Sequence, residues 1–124
     1  MSENNFGTVF NCIDGRVQLP AIEWLTDRFG LDYVDSITAP GIDRVLSGGD
    51  AGRIEKLKSR AAVSVEAHGS KVIAVVGHHD CAANPVSREE HEKQVRKAAE
   101  IIESWGFPVK VVGMWIGETW QAEE

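Results

Sequence analysis

The sequence predicts a doubly wound α/β fold, in which a parallel sheet of about four strands is flanked by helices. Apolar stretches of strand length alternate with stretches of helical periodicity along the whole chain. One of them, residues 71–77 (KVIAVVG), is apolar almost throughout, as expected for a strand covered on both faces. Strands that alternate with helices imply right-handed crossovers and a parallel sheet. The 124 residues fit one domain, spanning 1–124.

The first half of the chain predicts two strand–helix units. Residues 6–14 (FGTVFNCID) are rich in strand formers and predict the first strand. Apolar residues at helical spacing follow, and Gly30 is placed to cap that helix. Residues 33–38 (YVDSIT) predict the second strand, and after a turn at 47–50 (SGGD) a second helix extends to about His68.

The second half predicts two further strands around one helix. The third strand is the apolar stretch 71–77. Ser87 followed by Glu90 is a capping box, which predicts a helix start. Gly106 ends that helix, and residues 109–116 (VKVVGMWI) predict the fourth strand. The most economical strand order is 2-1-3-4, whose switch point lies between strands one and three. Ligands bind there, at the carboxyl ends of the strands.

Chemically active side chains follow both strands of that switch point. Two thiolates and one imidazole are the ligands of a catalytic zinc site with one open position, and sulfur with nitrogen favours zinc over magnesium or calcium. Taken singly, each residue would be an ordinary buried cysteine or loop histidine. Both cysteines of the chain fall at the switch point, so we predict one zinc ion per chain on Cys12, His78 and Cys81. The structural rival is a Cys12–Cys81 disulfide, which fits poorly with an intracellular chain.

Asp14 and Arg16 lie two residues apart, on the same side of the predicted extended segment. They would form either a surface ion pair or a catalytic dyad beside the metal. In the dyad, Arg16 keeps Asp14 ionised and oriented. Asp14 would then hydrogen-bond a zinc-bound hydroxide, or occupy the fourth zinc position itself. The spacing leaves both alternatives open.

The other histidines and the late tryptophans have less specific predictions. His79 is a candidate for proton transfer because its ordinary pKa lies near neutrality, and a solvated loop imidazole is the alternative. His68 and His91 lie on or beside helices and are predicted at the surface. The region from Trp115 to Trp120 is predicted to pack in the core or at an interface, with a place in the pocket as the alternative.

Composition excludes several classes of partner. The formal charge of −6 gives no broad attraction to nucleic acid or to anionic lipid. The longest apolar run, 72–77, is far shorter than the roughly 20 residues of a membrane span. We also expect no secretory signal. Two cysteines indicate a reducing compartment and hence a cytoplasmic protein. The 47–50 turn lacks the lysine and glycine spacing of a phosphate-binding loop, which disfavours a nucleotide-binding domain.

The two motifs at the switch point resemble those of the β-class carbonic anhydrases. That family has Cys-X-Asp-X-Arg after one strand and His-X-X-Cys after a later one, and here they stand as 12–16 (CIDGR) and 78–81 (HHDC). The likeness extends from about residue 6 to residue 120. The resemblance implies reversible hydration of carbon dioxide to bicarbonate, and a homodimer or higher homo-oligomer. It implies the same site residues: zinc on Cys12, His78 and Cys81, beside the dyad of Asp14 and Arg16.

The sequence departs from this family outside the metal motifs. It is shorter than usual and has no counterpart of the family's N-terminal helical arm. Residues 38–41 (TAPG) stand where the family usually has Arg-Asn-Ala-Gly, and 82–83 (AA) follow the second metal cysteine where glycine is common. These changes concern the pocket walls. They leave two alternatives open: a zinc hydrolase of carbonyl sulfide or carbon disulfide, and a non-catalytic zinc protein of the same fold.

Overall fold

The computed structural model describes residues 4–124, and its centre is a five-stranded sheet. The strands are β1 (Phe6–Asn11), β2 (Tyr33–Thr38), β3 (Val72–His78), β4 (Lys110–Ile116) and β5 (Ala122–Glu123). Their order is β2-β1-β3-β4-β5, with parallel pairing among the first four and an antiparallel contact between β4 and β5. The predicted order 2-1-3-4 is therefore confirmed. The fifth strand was not predicted, because two residues are too few to show a periodic pattern.

Within the described residues, four α-helices cover the two faces of the sheet. They are α1 (Gln18–Phe29), α2 (Ile42–Ser47), α3 (Ala51–His68) and α4 (Arg88–Ser104). Helix α1 packs on one face, and α2, α3 and α4 pack on the other. The short α2 was not predicted, since six residues span less than two turns. Within residues 4–124, no helix combines the length and apolar character that crossing a bilayer requires.

The core divides at β3, which is buried along its entire length. Val72, Ala74 and Val76 contribute to the cluster beneath α1. Ile73 and Val75 contribute to the cluster beneath the other three helices. Alternate side chains of one strand thus serve both hydrophobic layers, as the continuous apolar run predicted.

Two of the predicted helix boundaries have the expected capping contacts. The Ser87 hydroxyl accepts a hydrogen bond from the Glu90 amide at 3.1 Å and begins α4. Gly30, with φ of 63°, ends α1 in the left-handed conformation that glycine adopts without a steric penalty.

The predicted first strand is too long, because β1 ends at Asn11 and not at Asp14. The Asp14 carboxylate accepts a hydrogen bond from the Arg16 amide and caps a short 3₁₀ turn, Gly15–Val17. Asp14 and Arg16 therefore lie on a tight turn and not on an extended segment. Their side chains still meet, for the reason given below.

Close packing of β4 against α4 gives a test of the fold. A Cβ atom on Gly113 would lie 2.7 Å from Cγ1 of Val95, whose branched side chain moves little. We expect Gly113→Ala to lower the free energy of unfolding by about 1–3 kcal/mol, measured by urea denaturation. In contrast, Gly52→Ala in α3 is expected to raise it by about 0.5–1 kcal/mol, since its nearest neighbour would lie 3.6 Å away. Equal stability of the two variants would contradict this packing.

Candidate metal centre

The turn after β1 holds Cys12 by its backbone. The buried Asn11 side chain accepts a hydrogen bond from the Cys12 amide at 3.0 Å and donates one to the Val17 carbonyl at 3.1 Å. From the other side, the side-chain amide of Gln18 donates to the Cys12 carbonyl at 2.7 Å and to the Asp14 carbonyl at 2.8 Å. The peptide groups on both sides of Cys12 are thereby fixed, and its side chain is buried at the carboxyl end of β1.

The turn after β3 brings His78 and Cys81 to the same place. The His79 amide donates to the Ile116 carbonyl at 2.9 Å, which ties the turn to the end of β4. Asp80 has φ of 58°, a left-handed conformation that reverses the chain direction. The Asn84 amide then donates to the Cys81 carbonyl at 3.2 Å. Both predicted ligands of this turn are buried.

The three predicted ligands form one cluster. One ligand atom from each of Cys12, His78 and Cys81 lies within 4.8 Å of the others. The two sulfurs are 3.9 Å apart and both cysteines are free. Two sulfurs that each lie about 2.3 Å from a tetrahedral zinc ion would be about 3.8 Å apart. A disulfide would need about 2.05 Å. The cluster could therefore hold a metal ion, and the rival disulfide is not formed.

His78 presents an unsatisfied nitrogen to this cluster. Its Nδ1–H donates to the His79 carbonyl at 2.8 Å, which leaves Nε2 as the nitrogen with the free lone pair. Within residues 4–124, Nε2 is buried and has no hydrogen-bond partner. A buried polar atom without a partner costs about 1–3 kcal/mol. A metal ion would satisfy it. In metal sites, the ring nitrogen of histidine that does not bind the metal usually donates a hydrogen bond to a carbonyl or carboxylate, as Nδ1 of His78 does here.

Burial keeps the groups of the cluster in their uncharged forms when no ion is bound. Burial, with the neighbouring Cys12, raises the pKa of the Cys81 thiol to about 11. Burial lowers the pKa of His78, so its imidazole is neutral and able to bind a metal. Without an ion, the Cys81 thiol therefore keeps its proton at neutral pH. A divalent cation reverses that preference, because its charge stabilises the thiolate.

Asp14 and Arg16 meet in a two-point ion pair beside the cluster. Nη2 of Arg16 lies 2.7 Å from Oδ2 of Asp14, and Nε lies 3.0 Å from Oδ1. Hydrogen bonds from Arg16 lower the pKa of Asp14 to about 2, although partial burial opposes the shift. Asp14 is therefore ionised at neutral pH. Among the described residues, the cluster of metal-ligand atoms contains the two cysteines and His78 but not Asp14.

Arg16 has two further partners that the sequence did not predict. It donates to the Asp80 carbonyl at 3.2 Å, and its Nη1 lies 3.3 Å from the Asp80 carboxylate. Its guanidinium carbon also lies 4.2 Å from the centre of the Trp120 ring. Trp120 reaches this position because β5 folds the end of the chain back along β4. Its ring centre lies 6.4 Å from that of His78 and 6.1 Å from that of His79, so it packs beside the site.

The prediction that His91 lies at the surface is wrong. His91 is 1% exposed and its Nδ1 lies 2.6 Å from the buried carboxylate of Asp43. His91 is in the first turn of α4, on the side that faces the sheet. His68 is exposed, as predicted, and bonds to Asp35 at 2.7 Å. His79 is exposed within the turn after β3 (residues 78–81, the metal turn), and its part in proton transfer stays a prediction.

Comparison with known proteins agrees with this geometry. A family model described as "Putative carbonic anhydrase" matches residues 2–124 of the chain. No curated protein sequence matches it. The family match covers both motifs, the strands that carry them and the segment that places Trp120. The chain therefore belongs to this carbonic anhydrase family.

Proposed function

We propose that this protein is a zinc-dependent carbonic anhydrase, which hydrates carbon dioxide reversibly to bicarbonate. The observation that carries the proposal is the convergence of two free sulfurs with the ring of His78, whose buried Nε2 has no hydrogen-bond partner among residues 4–124. Family membership supports the reaction. The homodimer or higher homo-oligomer and the cytoplasmic location stay predictions.

Zinc is the metal that this donor set suits best, because sulfur and nitrogen are poor ligands for magnesium and calcium. The residues that would hold it are Cys12, His78 and Cys81, one ion per chain. Zinc bound there would supply hydroxide near neutral pH, because zinc lowers the pKa of bound water to about 7.

The role that we assign to Asp14 follows from its charge and its partner. An ionised carboxylate can only accept hydrogen bonds, so Asp14 is suited to accept the O–H of a hydroxide nucleophile. Arg16 binds both carboxylate oxygens, which restricts the rotation of Asp14. Because Arg16 already engages Asp14 outside the ligand cluster, we propose that the fourth metal position is open to solvent and substrate.

Two aromatic side chains complete the proposed site. Trp120 lies over the Arg16 guanidinium and limits its rotamers, which in turn limits the movement of Asp14. His79 is exposed within the metal turn and has the ring chemistry to pass a proton to solvent. The substrate itself is small and uncharged, and needs no cationic pocket to bind.

Metal content and hydration rate test the proposal together. We expect purified protein to contain one zinc per chain and Cys12→Ser to lose most of it, because a hydroxyl replaces one of two thiolate ligands. Zinc is measured by plasma emission, and hydration of carbon dioxide by stopped-flow indicator assay. Circular dichroism provides the control for folding.

Each failure of that experiment has a separate meaning. Full zinc content in Cys12→Ser would remove the ligand assignment. Stoichiometric zinc without hydration of carbon dioxide would support the metal-site assignment but overturn the proposed activity. Parallel assays with carbonyl sulfide and carbon disulfide then identify a related hydrolase, and inactivity on all three substrates indicates a non-catalytic zinc protein.

A conservative substitution tests the dyad separately from the metal. We expect Arg16→Lys to lower the hydration rate on the order of 100-fold at unchanged zinc content, because lysine cannot bind both carboxylate oxygens of Asp14 and so leaves its orientation less restricted. Arg28→Lys is the matched control, since Arg28 of α1 forms its ion pair with Glu124 and not with Asp14. A wild-type rate in Arg16→Lys would mean that Asp14 and Arg16 are only a surface ion pair.

A further inference from the structure

A buried polar network lies behind the metal turn and is not explained by the proposed reaction. Its centre is Asp43, near the start of α2. Oδ2 of Asp43 accepts from Nδ1 of His91 at 2.6 Å, and Oδ1 accepts from the Asn84 side-chain amide at 3.0 Å. The Arg44 backbone amide also donates to Oδ1, at 3.0 Å. The exposed fractions of Asp43, His91 and Asn84 are 2%, 1% and 1%.

Asn84 joins this network to one predicted ligand. Its side-chain nitrogen makes a second hydrogen bond, to Oε1 of Gln94 at 2.7 Å, so both of its amide hydrogens are used. Its backbone amide donates to the Cys81 carbonyl at 3.2 Å. A shift of Asn84 would therefore move the peptide group of Cys81.

Gly77 joins the network to the other ligand of the same turn. Gly77 directly precedes His78, and a Cβ atom added there would lie 3.0 Å from Oδ2 of Asp43 and 3.5 Å from Cβ of His91. The strand backbone thus packs directly against the Asp43–His91 pair. The Asp43 carboxylate contacts the chain immediately before His78 and, through Asn84, the chain after Cys81.

Cys12 is held by different groups. Its backbone bonds to Asn11 and Gln18, neither of which contacts Asp43 through a hydrogen bond. The separation between Cys12 and the other two ligands therefore depends on where the metal turn is held. Buried ionic groups contribute little net stability compared with apolar residues of the same volume, so stability is a weak explanation for this network.

We propose that Asp43, His91 and Asn84 are positioning residues. They hold His78 and Cys81 at the distance from Cys12 that metal binding requires. The proposal rests on the proposed function in one respect, that the cluster binds a metal ion. It assigns a role to three buried side chains that do not touch the ligand atoms themselves.

The experiment is titration of metal-free protein with cobalt(II), followed by competition with a chelator. Cobalt bound by thiolates gives a charge-transfer band, and its visible bands report coordination geometry. We expect Asp43→Asn to raise the metal dissociation constant by about 10- to 100-fold and to shift the visible bands. In this variant an amide group faces donors on both sides, which displaces the turn. Activity is not needed for either readout.

A second variant and a control keep the test decisive. Asn84→Ala keeps the backbone bond to Cys81 but removes the side-chain bonds that tie this backbone to Asp43 and Gln94. The Asp43–His91 bond stays in place, so the variant is expected to fold and to weaken cobalt binding about 10-fold. Thr8→Val is the control. Thr8 is fully buried near the start of β1, where its hydroxyl bonds to Ser64 and Ser70 at 2.7 and 2.8 Å. We expect it to lower the melting temperature without changing the cobalt spectrum.

The two levels of proposal fail in different ways. If Asn84→Ala or folded Asp43→Asn has a lower melting temperature but the wild-type dissociation constant and spectrum, the network is structural only. The positioning role is then overturned, and the proposed function is not affected. If wild-type protein shows no cobalt–thiolate band, the metal site fails and the positioning role fails with it.

Discussion

Parallel pairing of β1 with β3 brings two turns that are distant in sequence to the same edge of the sheet. Phe10 lies opposite Val75 in that register, and the ligands Cys12 and His78 follow these two residues by two and three positions. A slip of one residue would turn the side chains of one strand to the opposite face. Because β3 is buried on both faces, such a slip would also break both hydrophobic clusters. The core thus fixes the register, and the register fixes where the sulfurs and the imidazole meet.

The site combines two different electrostatic environments. The Cys81 thiol and the His78 imidazole are buried and favour their neutral forms, a preference that a cation would reverse for the thiol. Asp14 and Arg16 are charged and lie at the boundary with solvent. An ion pair with this exposure contributes about 0–1 kcal/mol to folding, so stability does not account for its two-point geometry. The arrangement is instead what a hydroxide-orienting carboxylate would need.

The long elements could be predicted from the sequence because they depend on local patterns, and the convergence of the motifs followed from the strand order that those elements imply. Burial of His91 was within reach as well: residues 91, 95, 98 and 102 follow helical spacing, and all four are buried in α4. The polar character of histidine hid that signal. Its partner Asp43 was out of reach, since it lies in a helix too short to show a period. The position of Trp120 depends on a two-residue strand and could not be inferred for the same reason.

The metal turn is held from two sides by contacts of different kinds. On the outer side, Arg16 donates to the Asp80 carbonyl through an exposed side chain that solvent can compete for. On the inner side, Asn84 and Asp43 are buried and their hydrogen bonds are protected from water. The outer contact can therefore rearrange at little cost, whereas loss of an inner contact leaves a buried group unsatisfied. This difference suits the inner network, more than the outer contact, to fix the positions of the ligands.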